Sequence, residues 1–495
     1  MDSTEENAII LKDSFRYSVS TYLLVGFGII TAFATRRILG PLLMGTFTQL
    51  MIIFQYSKYH HIGIFSALEK ELPYHNGRRD PAKVAEIKDV GFSATVITSF
   101  CVALGITIAS LILKLDGNLL IGMRLLAIAL LIQSVVTFLT LLVKTHHRFT
   151  FLSKYNIYTA ILQTVLTVYL GLKFGLFGIL WVSIIIGLVG AIYLLGAKIG
   201  FRFTFPFSLK ETSRLLIIGT PLLMNDIALA SLINMDKFSI IKYFGKVELG
   251  YYSIATMVAN YIYLLPSLIY AVLYPRFYES FGKTGDIKKL RHYLETPTVI
   301  ISYFISGIIG CMILALPFLI KYILPNYTPG ILPANILLFG MFFMSLQGMS
   351  TYLLVVMNKQ KQMILLNVFG ILLAMFFNHI FIKILHWDIS GIAAAMLVTY
   401  FIYSVLFVGY AFRHHTEKTG QLLKFFSKIY MPFIWLVVTI FLLNLILPYK
   451  NSTLIVDCFN LLGRFFIFAL AYIPLLYYLN KKTHIMDKIY KLVKR

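Results

Sequence analysis

The chain has 495 residues, 59% of them hydrophobic and 13% charged, with a formal net charge of +23. A soluble protein of that length lacks the polar surface to cover so much apolar side chain, so lipid is its natural solvent. The positive charge lies in short connectors between apolar runs, and no soluble segment is long enough to fold a recognition module, which excludes a nucleic-acid partner.

In chain order, residues 1–15 are polar and acidic, and they predict no secretory leader. Apolar runs of about 20 residues follow, each able to cross about 30 Å of hydrocarbon. They predict spans at 17–35, 45–67, 90–113, 119–143, 153–172 and 176–197. Six more are expected at 214–235, 249–275, 297–320, 331–357, 362–384 and 389–411, with a last pair at 429–447 and 454–479. Runs such as Val437 to Leu447 are apolar on every face, which suits helices and not the alternating strands of a barrel. The expected fold is therefore an all-α integral membrane protein of about fourteen transmembrane helices. Cys101, Cys311 and Cys458 lie in or beside apolar runs without metal-ligand spacing and read as small core residues.

Lys and Arg alternate with the spans. About 31 of the 44 fall on the side that carries both termini and about 11 on the other. That bias is the positive-inside pattern, and it predicts cytoplasmic termini in a cell membrane.

A repeat links the two halves. Arg37-Ile-Leu-Gly40-Pro-Leu-Leu-Met-Gly45-Thr-Phe47 aligns with Lys242-Tyr-Phe-Gly245-Lys-Val-Glu-Leu-Gly250-Tyr-Tyr252, and Phe174-Gly-Leu-Phe-Gly178 aligns with Trp387-Asp-Ile-Ser-Gly391. Each copy holds six spans, an even number, so both share one orientation, as in transporters with parallel repeats. The predicted organisation is a six-helix lobe at 1–210, a second at 211–420, and an appended helix pair with a basic cytoplasmic tail at 421–495.

The string Arg36-Arg-Ile-Leu-Gly-Pro-Leu-Leu-Met-Gly45 resembles the end of the first helix in polysaccharide-biosynthesis flippases of the Wzx type, within the superfamily that holds the multidrug and toxin extruders. Leu68-Glu-Lys-Glu-Leu-Pro73, Gly219-Thr-Pro221, Met235-Asp-Lys237, Leu249-Gly-Tyr-Tyr-Ser253 and Tyr274-Pro-Arg276 resemble further segments of that family. The resemblance implies two six-helix repeats around a central cavity. It implies movement of an oligosaccharide on a polyprenyl diphosphate from the inner to the outer leaflet, for surface polysaccharide such as O-antigen, capsule, exopolysaccharide or a teichoic-type polymer. The implied partners are the lipid-linked oligosaccharide, membrane lipids, a polysaccharide polymerase and glycosyltransferases. No cofactor is expected, and the superfamily implies coupling to a Na⁺ or H⁺ gradient, with Asp226 and Asp236 as first candidates.

Ionisable residues inside a span usually face a cavity or a partner. Lys58 sits midway along the second span with Gln55 and His61 about one turn to either side, which would make one helix face polar. Asp226 and Asn225 are central in the seventh span, Asn260 answers Gln55 in the repeat, and Arg464 lies well inside the last span. These seven residues read as lining of a polar cavity, the alternative being hydrogen-bonded pairs between helices. Arg36, Arg37, Lys237 and Lys242 gather where both halves reach the outer surface, and Arg276 lies at the inner end of the eighth span. All five are candidates to meet the diphosphate or anionic sugars, the alternative being interfacial anchoring.

Two other functions compete. A cation-coupled efflux antiporter on the same fold would favour acidic residues in its site, whereas the first span has no carboxylate. A sugar-lipid polymerase or ligase would need a sizeable outer loop, and no connector exceeds about 25 residues. Adjacent histidines such as His60-His61 cannot share one helix face, so no metal site is expected. No enzyme signature is found: position 277 is Phe where a phosphate loop needs Gly.

Overall fold

The computed structural model describes residues 3–146, 148–197, 204–206, 208–284, 291–414, 418–448 and 453–483. The side chains of residues 3–19 and of several positions between 268 and 293, Arg276 among them, lie outside the described set. The described residues are overwhelmingly helical, and no strand occurs among them.

They divide into two compact units, residues 1–230 and 231–495. In the first, α1 (Ser3–Ser57) carries two spans and breaks at Gly40, whose φ of 64° is left-handed. Glycine accepts that conformation without a Cβ clash, and Pro41 then starts the next segment, where its missing N–H is no loss. A 3-10 turn (Lys58–His61) and two left-handed residues, Ile62 and Gly63, lead to α2 (Ile64–Gly77). The expected span 45–67 therefore ends earlier, at Ser57, and its last residues belong to a separate amphipathic helix burying Ile64, Ala67, Leu68, Glu71 and Leu72.

Asp80 caps α3 (Pro81–Ile112) by accepting the Lys83 N–H at 3.1 Å. Next come α4 (Gly117–Thr145), α5 (Phe149–Leu195), which carries two spans broken at Gly175 (φ 58°), and α6 (Leu209–Ile233). The core on this side joins Ile64, Leu68 and Leu72 of α2 to Phe92 of α3, Phe138 of α4 and Leu215 of α6.

In the second unit, Gly245 (φ 95°) separates α7 (Met235–Tyr243) from α8 (Lys246–Thr284). Gly40 and Gly245 thus break their helices in the same left-handed region, at the position where the two sequence repeats align. Then follow α9 (Arg291–Ile323), α10 (Ile331–Ser345), α11 (Gly348–Val356), α12 (Gln360–His379) and α13 (Ile389–Arg413). The last pair is α14 (Thr419–Ile446) and α15 (Leu454–Thr483). Gly178 and Gly391, aligned in the repeat, each leave no room for a methyl group against the residues just before them.

Eleven described segments are long and apolar enough to cross a membrane. The breaks in α1 and α5 divide two of them, and α8 adds one, which recovers the fourteen expected crossings among the described residues. Large apolar side chains point outward, for example Ile112, Leu172 and Phe459, as lipid-facing helices require. The cysteines follow that rule and not the core reading: Cys101 and Cys311 are exposed and Cys458 is half-buried. A small apolar residue is as well solvated by lipid as by a core.

The contact boundary between units falls inside α6, after Ala230, and not in the connector near 210 where the repeat begins. Leu215 accounts for this through its place in the first unit's core, as does Arg214 through its bond to Glu71.

Candidate functional site

Lys58 opens the turn that follows α1, and both it and Gln55 are exposed. The Lys58 ammonium lies 4.5 Å from the centroid of the Phe54 ring, a cation–π contact one turn back. His61 departs from the expected polar face. Its ring folds onto the chain, where Nδ1 accepts the Gly63 N–H at 3.1 Å and Phe65 lies 4.5 Å away between centroids. The end of the helix is the reason: Ile62 and Gly63 turn left-handed directly after His61, and its ring takes up the Gly63 N–H that the turn leaves without a helical acceptor. His60 is buried against Thr98 at 3.2 Å. Asp226 of α6 is exposed, takes a hydrogen bond from Asn225, and acts electrostatically on Tyr59. The structure therefore brings the Lys58 turn and Asp226 into one neighbourhood of the first unit, although among the described residues no ion pair joins them.

Arg36 and Arg37 point apart. Arg36 is buried and donates to the Ala32 carbonyl at 3.0 Å along its own helix. Arg37 is exposed and lines a groove of about 580 Å³ with Ala34, Ile38, Val168, Gly171, Leu172 and Gly175. Of this pair, Arg37 is the exposed one.

In the second unit, Lys237 departs from the surface placement expected of it and is 8% exposed. Its ammonium donates to Asn234 Oδ1 at 2.7 Å and lies 3.7 Å from Asp236 Oδ1. Asp236 is itself buried, accepts the Lys237 backbone N–H at 2.7 Å, and has the fully buried Tyr252 and Tyr400 near it. Desolvation explains the arrangement, since a buried charge persists only with a partner. Lys242 is exposed and lies 5.3 Å from the Tyr243 ring. Asn260 is also exposed. Arg464 is buried and donates to Asn444 of α14, so it joins the two appended helices.

A charge cluster in the first unit escaped sequence reasoning. Arg214 donates to Glu71 at 2.6 Å and to Glu211 at 2.7 Å, and Lys83 donates to Glu211 at 3.0 Å and Glu86 at 2.9 Å. The one local sign was Glu211 three residues before Arg214 on a helix. A second such group links the appended pair to α9: the buried Asp457 accepts from Lys321 at 2.6 Å and from the Tyr322 hydroxyl at 2.8 Å.

Helices broken at glycines, in two similarly built sets with charged residues held inside them, define the fold. Three solved structures share it. A MurJ lipid II flippase in an inward-closed conformation matches with a TM-score of 0.67 at 14% identity, covering 93% of this chain and 99% of that one. An inward-facing multidrug resistance MATE transporter of the MOP superfamily matches at 0.62 and 14%, covering 83% and 95%. A MOP-superfamily transporter from Pyrococcus furiosus matches at 0.59 and 12%, covering 85% and 96%. No curated protein sequence matches the chain. The family model described as polysaccharide biosynthesis protein matches residues 37–327, and the chain belongs to that family.

Proposed function

We propose that this protein is a flippase that moves a polyprenyl-diphosphate-linked oligosaccharide from the inner to the outer leaflet of the cytoplasmic membrane, by alternating access. Membership of the polysaccharide biosynthesis family on a fold shared with a lipid II flippase carries this reading. Exposed cations support it: Lys58, Arg37 and Lys242 are each displayed in or at the end of a span. Such cations match a diphosphate, which the fold must draw from water into a less polar environment.

Asp226 is the better candidate for a coupling Na⁺ or H⁺. It is exposed, whereas Asp236 already has Lys237 as a counter-charge. The bias of basic residues supports cytoplasmic termini. A multidrug resistance MATE family transporter shares the fold, which makes a drug antiporter the second reading. The cationic residues count against cationic drugs as cargo.

The test is reconstitution. Purified protein in vesicles should transfer a labelled polyprenyl-diphosphate oligosaccharide between leaflets and return it with unchanged mass. No transfer above protein-free vesicles, or a lipid of altered mass, would refute the reading.

A further inference from the structure

By sequence repeat α6 opens the second half of the chain, yet its first turns are bound to α2 and α3 of the first half. Gly63 meets Gly219 and Glu71 meets Arg214, so the Gly63–Glu71 stretch and the start of α6 touch in opposite chain directions along one seam. At its membrane end Gly63 and Gly219 meet backbone to backbone, so that a methyl group on either would overlap the other. Beside them the Thr220 hydroxyl lies 3.4 Å from the Ile62 carbonyl. About a turn further along, Leu215 packs with Ile64, Ala67 and Leu68. The far end is the charge cluster, with Arg214 between Glu71 and Glu211 and Lys83 on the other oxygen of Glu211.

Three features suit a seam that separates and re-forms. The acids are buried, with Glu71 at 9% and Glu211 at 5% exposure, but their side-chain partners Arg214 and Lys83 are 36% and 28% exposed and reach the surface of the fold. The glycine contact has no side chains to interlock. Ile62, a β-branched residue at φ 46°, and Gly63 at φ 89° form a strained joint between α1 and α2, directly at the contact.

We propose that this seam is the gate on the side of the termini, closed in this structure, and that Glu71–Arg214 and Lys83–Glu211 must part for substrate to enter. The proposal rests on the alternating-access reading above.

The test uses the full chain with Cys101, Cys311 and Cys458 replaced by Ser. Glu71→Cys with Arg214→Cys allows a reducible bifunctional thiol reagent to bridge the seam in vesicles. Transfer of labelled lipid-linked oligosaccharide is measured before bridging, after it, and after reduction. The gate predicts a loss of about tenfold or more on bridging, with recovery on reduction; an unchanged rate in bridged protein would overturn it. If the parent without bridging cysteines moves no lipid, the flippase reading fails first and the gate with it.

A second arm needs no transport and settles the case of an inactive cysteine pair. With Gln55→Cys as reporter, Arg214→Gln should raise labelling by an impermeant thiol reagent from the terminal side about tenfold, as a two-state shift of that size requires. Equal labelling with and without Arg214→Gln would show a permanent joint and overturn the gate.

Discussion

Alanine in place of Gly219 puts a methyl group into the backbone of Gly63, and no rotamer change can relieve the overlap. Forced overpacking of this kind costs about 1–3 kcal/mol, towards the upper end where backbone must move. Alanine in a helix recovers about 1 kcal/mol over glycine, leaving a net loss of about 1–2 kcal/mol. Gly63→Ala meets the same overlap and also a left-handed φ of 89°. That conformation adds about 1–2 kcal/mol and brings no helix gain. Gly105 of α3 is the internal control, since nothing lies within 4 Å of an added methyl there. The assay is the thermal unfolding midpoint of purified protein in detergent. The expected order is Gly105→Ala at or above the parent, then Gly219→Ala, then Gly63→Ala. Gly219→Ala as stable as Gly105→Ala would refute the packing argument.

Lys58→Met should keep folding and insertion, because an exposed ammonium at the end of α1 gives way to an apolar side chain of similar length that can still lie on Phe54, yet should lower lipid export normalised to protein amount. Lys58→Arg should retain more export than Lys58→Met, and normal export by the methionine variant would remove Lys58 from the substrate path. Asp457→Asn should lower the thermal midpoint through a loss of about 1–3 kcal/mol, since Lys321 and Tyr322 both donate to that buried carboxylate; an unchanged midpoint would show that the appended helices need no such tie. A cysteine at position 78 should resist impermeant reagents applied outside intact cells, and efficient labelling would reverse the orientation.

The crossings were legible because lipid imposes its length on every apolar run, and the repeat was legible because Gly40 and Gly245 mark the same left-handed break. The connectors there looked like loops in sequence, but one glycine is enough to turn the chain. What escaped was tertiary. Glu71 and Arg214 stand 143 residues apart, and no local period announces their contact. Lys237 read as a surface cation, although Asn234 and Asp236 beside it in sequence supply the partners that let it be buried. His61 read as one face with Lys58 because the helix was expected to run on to residue 67, whereas Ile62 and Gly63 turn the chain left-handed directly after it.

Leaflet transfer by the purified protein tests the central claim most directly. Vesicles carrying a polyprenyl-diphosphate oligosaccharide, labelled on the sugar and probed with a membrane-impermeant quencher, would report the lipid in each leaflet over time. The account predicts redistribution that depends on the protein, is slowed by Lys58→Met, and leaves the lipid's mass unchanged. Redistribution no faster than in empty vesicles, or export of cationic dyes with the sugar lipid left in place, would contradict it.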